Sequence, residues 1–257
     1  MDLGKIISKS FSYPFRNIKN LLVLFILFIL ISVIPIGVIY DNKYLLALGV
    51  ISFFLFILLA PGYLFSFVKI GLNESALFPS LSFGNRIYDS LRVLVLRMAY
   101  MIVPTLVFFI VWSTLGVSGI NSLSNMEIHT FLWNIGLSLV ILLVIYLLFE
   151  ILLFFAKARL AYLNSLSEAL KVNMVIGDIR KIGIFNIVKW LVFMGVLVIV
   201  ASVVSGWIIA IPYVGFIVYI GIFIPILESI GNYSLGLLYS NIVDDKSLNW
   251  SETEYLP

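Results

Sequence analysis

The chain has 257 residues, of which 62% are hydrophobic and only 11% are charged, and its formal net charge is +3. Its mean hydropathy of +1.15 excludes an ordinary soluble domain, because a soluble protein this apolar would expose large apolar patches and aggregate. The chain has no cysteine and a single histidine, His129, which excludes disulfides, thiol catalysis, Cys-ligated metals and multi-histidine metal sites.

Six apolar segments are long enough to cross a bilayer, since a spanning helix needs about 20 mostly apolar residues. A β-barrel would instead alternate polar and apolar residues along short strands, whereas residues 21–30 are apolar at every position. The sequence therefore predicts an all-α integral membrane protein with six transmembrane helices arranged as three hairpins. The predicted spans are approximately 21–40, 44–68, 94–116, 131–155, 184–209 and 213–238.

Lysine and arginine alternate between dense and sparse connections along the chain. Four precede the first span, one follows it, and four lie in the stretch that follows span two and runs into span three. None lies at 117–130, six lie at 157–189, none lies at the 211–212 turn and one lies in the tail. Because basic residues are retained on the cytoplasmic side, this pattern predicts a protein of the cytoplasmic (plasma) membrane with both termini cytoplasmic. The inner connections are the longest, which favours a cytoplasmic partner over an external one.

The chain also contains a loose internal repeat. We predict one six-helix transmembrane domain, 1–243, built from repeats at about 1–75, 76–165 and 166–243, and an acidic cytoplasmic tail at 244–257. Each repeat opens with a short basic amphipathic segment and continues as a helical hairpin. These segments are expected to lie at the membrane interface.

Residues 165–182 form the clearest amphipathic segment. Ser165 and Glu168 fit a capping box that begins a short helix. We expect its cations to lie near anionic lipid headgroups on the inner side of the membrane; they are Lys171, Arg180 and Lys181. The alternative is an ordinary connector that follows the same distribution of basic residues.

Two carboxylates interrupt the apolar segments. Glu150 and Glu228 fall in the cytoplasmic halves of the fourth and sixth spans, where a charge is costly and is a functional candidate by default. Arg97 and Lys189 lie in the same half of the membrane, so either carboxylate paired with either cation would give a structural ion pair. The other interpretations are a proton- or cation-linked site, a catalytic carboxylate, or a side chain that reaches the headgroups.

Glu228 is the stronger functional candidate of the two. Asn232 follows it by one helical turn, and Pro225 precedes it by about one turn and removes a backbone donor. A carboxylate, an amide and an exposed carbonyl together would line a polar cavity. The alternative is a kinked helix whose polar groups are satisfied against the fifth span.

Several short motifs resemble those of a known family. They are Pro61-Gly62-Tyr63-Leu64 and Phe67-Val68-Lys69 in the second span, Leu77-Phe78-Pro79 ahead of Arg86-Ile87-Tyr88-Asp89-Ser90-Leu91, Tyr100 and Pro104 in the third span, and the turn at 211–215. Through them most of the chain resembles DUF4013, a mainly archaeal family of multi-pass membrane proteins known only as a domain of unknown function. The family commonly carries an acidic-aromatic stretch where this chain has Ser80-Leu81-Ser82-Phe83. The resemblance implies a multi-span helical fold and transfers no functional residue.

Catalytic and nucleotide-binding motifs are absent from the sequence, and its basic residues lie beside the spans. We therefore expect no cofactor, metal or nucleic-acid partner. The leading hypothesis is a non-enzymatic membrane protein with a structural, lipid-associated or accessory role. The alternative is a small-solute or lipid transporter that uses the intramembrane carboxylates, and the third is an intramembrane enzyme. Small residues at 201–206 would permit close helix approach within the chain or in a homo-oligomer.

Overall fold

The computed structural model describes residues 3–16, 21–74, 83–124 and 127–243. Within these ranges the regular elements are helices, and no strand occurs. The predicted acidic tail at 244–257 lies outside the described residues, as do residues 17–20 and the connection at 75–82.

Six helical segments are long and apolar enough to cross a membrane. This confirms the predicted fold class, and the chain is a multi-pass membrane protein. Two of the segments contain a π-helical turn, at Trp112–Gly116 and at Tyr219–Phe223. The helices are α1 (Leu3–Arg16), α2 (Leu22–Ile39), α3 (Lys43–Leu72), α4 (Phe83–Val111), α5 (Val117–Ser124), α6 (Ile128–Leu163), α7 (Leu166–Ala169), α8 (Val172–Ile182), α9 (Ile184–Ile209), α10 (Val214–Val218) and α11 (Ile224–Tyr239).

Several helix ends meet at one end of the bundle, which we call the basic end. Asp89 near the start of α4 pairs with Lys69 near the end of α3, and Arg92 donates to Asn164, which caps the end of α6. Tyr239 at the end of α11 donates to Asp178 of α8. The described lysines and arginines other than Lys43 lie in elements, or halves of helices, that meet at this end.

Helix α1 is amphipathic and packs on the bundle at the basic end. Its buried side chains include Ile6 and Tyr13. The Tyr13 ring stacks on Tyr233 of α11, with ring centroids 4.1 Å apart. On the other side of α1, Phe11 contacts Phe193 of α9 edge to face. Helix α1 therefore bridges α9 and α11.

The two later basic openings are built differently from each other. Residues 86–92 are not a separate interfacial segment but form the first turns of α4, because Arg86, Asp89 and Ser90 are buried against α3. The third opening is a separate amphipathic helix, α8. The segment 165–182 is divided into α7 and α8. The capping box predicted at Ser165, which precedes α7, does not form, since Ser165 makes no capping hydrogen bond and Glu168 is engaged by Arg159 and Lys171.

Two glycines form a close crossing between α3 and α11. A Cβ added to Gly71 of α3 would lie 2.4 Å from the Tyr233 carbonyl oxygen of α11, and one added to Gly236 would lie 2.2 Å from the Val68 oxygen of α3. The small residues noted at 201–206 do not serve this purpose. A Cβ added to Gly206 would have no neighbouring atom within 4 Å, and Ser205 is partly exposed.

An amphiphilic cavity with four charged side chains

A cavity of about 620 Å³ lies between the spanning helices, and all six spans contribute side chains to it. Most of its wall is apolar, with Phe28, Phe56 and Leu153 among the lining residues. Its charged and amide-bearing lining residues are Arg97, Glu150, Lys157, Glu228 and Asn232. The cavity is therefore amphiphilic, and we call these five residues the polar cluster.

The first half of the polar cluster is an ion pair between α4 and α6. Arg97 Nη2 donates to Glu150 Oε1 at 3.2 Å. Tyr146, one turn before Glu150 on the same helix, donates its hydroxyl to the same oxygen at 2.7 Å. The Glu150 carboxylate therefore has both a cationic and a neutral donor, as a charge in apolar surroundings requires.

In the second half of the polar cluster, the Asn232 amide hydrogen-bonds to both Lys157 and Glu228. Lys157 Nζ donates to Asn232 Oδ1 at 2.5 Å. The Asn232 Nδ2 group donates to Glu228 twice, to its backbone oxygen at 2.7 Å and to its carboxylate Oε2 at 3.2 Å. Asn232 is 4% exposed, whereas Glu228 is exposed at the cavity wall. No salt bridge among the described residues joins Lys157 to Glu228, so the amide separates the two charges.

Helix geometry explains how these side chains converge. Glu150 and Lys157 are seven residues apart on α6, which places them on one face two turns apart. Glu228 and Asn232 are four residues apart on α11 and share a face in the same way. The π-helical turn at Tyr219–Phe223 and Pro225 lie just before Glu228. Such turns change the facing of the residues that follow and are frequent at functional sites.

Space for the cavity comes from the way α9 packs. Near the basic end, Trp190 of α9 donates its indole N–H to Ser234 of α11 at 3.0 Å, and Met194 lies against Gly231. At the other end of α9, Gly215 fits closely against Ile208. Between these contacts Ala201 and Ser202 line the cavity. Helix α9 is therefore held to α11 near the basic end and to α10 at its other end, and the cavity-lining residues of α9 lie between these contacts.

The structure brings together four of the five intramembrane residues selected from the sequence. Arg97, Glu150, Glu228 and Asn232 line the same cavity. Lys189 lies elsewhere, because it precedes the inward-facing Trp190 and points outward, with its Nζ 4.2 Å from the Phe185 ring centroid. Lys157 also lines the cavity but is not among the residues predicted from the sequence. Its position seven residues after Glu150 places it on the same helix face and could have indicated this.

A second charged cluster lies outside the cavity, and the sequence analysis does not predict it. Asp89 is surrounded by Lys69 Nζ at 2.9 Å, Arg92 Nη1 at 3.8 Å and Arg86 Nη1 at 4.0 Å. Arg86 also donates to Ser66 of α3. All four charged side chains are less than one-tenth exposed. Their burial and mutual contacts indicate that this cluster fastens α3 to α4. The i, i+3 spacing of Arg86, Asp89 and Arg92 was its signal in the sequence.

The three cations expected near lipid headgroups lie on α8 or just before it. Arg180 and Lys181 are exposed. Lys171 is also exposed but donates to Glu168 at 2.5 Å, and this hydrogen bond holds the pKa of the Glu168 carboxyl below its ordinary value. The inner side of α8 is fixed to the bundle, because Arg159 pairs with the buried Asp178 at 2.6 Å.

Within the described ranges, no group of three or more His, Asp or Glu side chains is positioned to hold a metal ion. The family model described as a protein of unknown function, DUF4013, matches residues 45–213. No curated protein and no solved structure matches the chain.

Proposed function

The chain belongs to the DUF4013 family, whose function is unknown. From the properties of the cavity, we propose that it is a lipid-associated protein that holds a membrane amphiphile inside the helix bundle. The observation that carries this proposal is the joining of an apolar wall to the polar cluster in one space of about 620 Å³. Ligand sites of this size combine a mainly apolar lining with a few placed polar groups.

The gap between α9 and α11 supports the same proposal. Helix α9 contacts α11 near Trp190 and contacts α10 at the turn before Gly215, and residues of α9 between these contacts line the cavity. An amphiphile in the bilayer would reach this gap sideways, with its acyl chains remaining among apolar side chains. Its polar part would meet the polar cluster without crossing the hydrocarbon alone.

We also propose that the basic end faces the cytoplasm and that the protein resides in the cytoplasmic membrane. The support is the concentration of lysine and arginine at that end, with Lys43 as the exception among the described residues. In this orientation the exposed Arg180 and Lys181 lie at the inner headgroup layer, where anionic lipids attract cations.

Trp190 offers a direct test, because it lines the cavity. The other four tryptophans, Trp112, Trp133, Trp207 and Trp250, would be replaced by phenylalanine. A phospholipid with brominated chains, added in trace amounts to protein in non-quenching detergent, should then quench Trp190 fluorescence saturably. Quenching that rises only in proportion to the lipid content of the micelle would contradict the proposal.

A cavity-filling variant and its neighbour provide the matched pair. Ala201 faces the cavity and is 5% exposed, whereas the adjacent Val200 is 51% exposed on the outer surface. Ala201→Phe should abolish saturable quenching because its ring occupies the binding space, and Val200→Phe should leave quenching unchanged. Equal quenching in both variants would mean that the amphiphile binds elsewhere.

Lipid transport is the second candidate, and the exposure of Glu228 favours it. This carboxylate lies at the cavity wall with the Asn232 amide as its side-chain partner among the described residues, so it is accessible to a ligand in the cavity. A transporter should accelerate the loss of fluorescent-lipid signal to an external reductant in proteoliposomes, and Glu228→Gln should slow it. If reconstituted protein leaves this rate at that of empty vesicles, lipid translocation is excluded and binding remains to be judged by Trp190.

A further inference from the structure

We propose that the amphiphile is zwitterionic, with an anionic group that contacts Lys157 and a protonated amine that contacts Glu228. This inference rests on the proposed function, which it makes more specific. It follows from the two unequal halves of the polar cluster: one half is complete within the protein, and the other leaves an ammonium and a carboxylate on either side of a single amide.

The Arg97–Glu150 pair is the complete half. Glu150 accepts from both Arg97 and Tyr146, so its charge is matched inside the protein. A ligand that recruited Arg97 would have to compete with this carboxylate. Binding is therefore expected at the other half, where no such competition exists.

Lys157 is the group for the anionic part of the ligand. Its ammonium has three N–H donors, of which one reaches Asn232, and its Nζ lies 5.5 Å from the Phe154 ring centroid. The remaining donors of a cation that lines a cavity suit a phosphate or carboxylate oxygen. Charge-assisted hydrogen bonds of this kind are the strong ones.

Glu228 is the group for the amine. Asn232 donates to one carboxylate oxygen, Oε2, and an ionised carboxylate has about four lone-pair sites. A protonated amine would supply both the missing donors and the opposite charge. Because Asn232 is buried and holds Lys157 and Glu228 on its two ends, the two subsites are fixed a short distance apart.

Charge balance excludes the simpler ligands. Lys157 and Glu228 together are neutral, so a purely anionic or purely cationic ligand would leave one unmatched charge among apolar walls, which is costly. A zwitterion matches both. A phosphoethanolamine headgroup carries its two charges only a few bonds apart, as the single bridging amide requires, and the apolar wall accommodates attached chains.

The test compares three competitors of the brominated lipid in the Trp190-only protein. They are short-chain phosphatidylethanolamine, the same lipid with its amine acetylated, and glycerophosphoethanolamine, which is the headgroup without chains. The zwitterionic lipid should displace the brominated lipid at a concentration at least about ten-fold lower than the acetylated one, because a charged hydrogen bond is lost on acetylation. The headgroup alone should compete poorly.

Two variants and two controls assign the charges to their subsites. Glu228→Gln should remove the preference for the free amine, and Lys157→Gln should weaken both phosphate-bearing lipids. Glu127→Gln and Lys189→Gln change exposed residues of the same types outside the cavity and should alter neither. Thermal unfolding of each variant in detergent separates loss of binding from loss of fold. The conservative variant Glu228→Asp keeps a carboxylate and should retain the preference for the free amine.

The possible failures are distinguishable. Equal displacement by the free and acetylated lipids, unaffected by Glu228→Gln, would overturn the zwitterion assignment while lipid binding stands. Equal competition by the headgroup alone would overturn the lipid as its source and point to a free zwitterionic solute. Absence of saturable quenching by the brominated lipid would overturn both the inference and the proposed function.

Discussion

At the scale of single residues, the protein places charged side chains within the helix bundle in two different ways. Asp89 is enclosed by three cations and is 3% exposed, and it connects α3 with α4. Glu228 is exposed at a cavity and receives one amide hydrogen bond on its carboxylate. The first arrangement is expected to stabilise the fold, and the second leaves a charge available for a ligand.

Asp89→Asn is therefore expected to destabilise the protein strongly. Removing one partner from a buried ionic cluster leaves uncompensated charge and costs about 3–5 kcal/mol. The free energy of unfolding in detergent, measured against denaturant, would show the loss. Asp41→Asn is the matched control, because Asp41 is exposed in the α2–α3 turn with a φ of 47°, a conformation that asparagine also adopts. Equal stability of the two variants would contradict a fastening role for Asp89.

The sequence identified part of the cavity for a physical reason. Glu150, Glu228 and Arg97 stand out because charge within an apolar run is rare and costly. Lys157 was harder to select because it lies only six residues before the end of α6, where a lysine normally reaches the headgroups. The apolar wall could not be predicted at all, since a leucine facing lipid and one facing a cavity have the same sequence environment.

At the scale of helices, packing depends on glycines that the sequence pattern did not single out. The pattern drew attention to 201–206, but the close crossing is made by Gly71 and Gly236. A small residue indicates that another helix can approach closely, but it does not indicate which helix does so. The identity of the partner helix is set by the three-dimensional arrangement of all six spans.

Gly236→Ala is expected to separate α3 from α11. The added methyl group would lie 2.2 Å from the Val68 carbonyl oxygen, and backbone cannot move away as a flexible side chain can. Overpacking of this kind typically costs about 1–3 kcal/mol. Gly206→Ala adds the same methyl group where no atom lies within 4 Å, so it should be neutral or stabilising by up to about 1 kcal/mol. Thermal unfolding in one detergent would compare them, and a similar shift for both would refute the crossing.

Helix α8 is expected to couple stability to the lipid surface. Its inner side is fixed through Asp178, while Arg180 and Lys181 are exposed. The double substitution Arg180→Gln with Lys181→Gln should remove about 1 kcal/mol per cation near an anionic surface. The expected result is a lower unfolding temperature in anionic nanodiscs and little change in neutral ones. Lys43→Gln, at the opposite end, should not follow this pattern. The same loss in both lipids would leave α8 as a plain connector.

At the scale of the whole molecule, the six spans could be predicted because length and hydropathy alone decide whether a helix can cross a bilayer. The match to DUF4013 over residues 45–213 confirms the family resemblance. The orientation predicted from the count of basic residues stays a prediction, and several of those residues have a structural role within the bundle. Lys69, Arg86 and Arg92 are buried around Asp89, so a basic residue counted in the predicted orientation can also hold helices together.

Orientation is the last property of the whole molecule to be tested, and the absence of native cysteines makes the test simple. Ser8 is exposed on α1 at the basic end, and Glu127 is exposed at the start of α6 at the opposite end. In intact cells, a membrane-impermeant maleimide should label Glu127→Cys and should not label Ser8→Cys. Ser8→Cys should become reactive once the membrane is opened, which controls for accessibility. Labelling of Ser8→Cys alone in intact cells would place the basic end outside, because α1 packs on α11 at that end. The cations of α8 would then face the outer leaflet, which would contradict the proposed contact with anionic lipids of the inner leaflet.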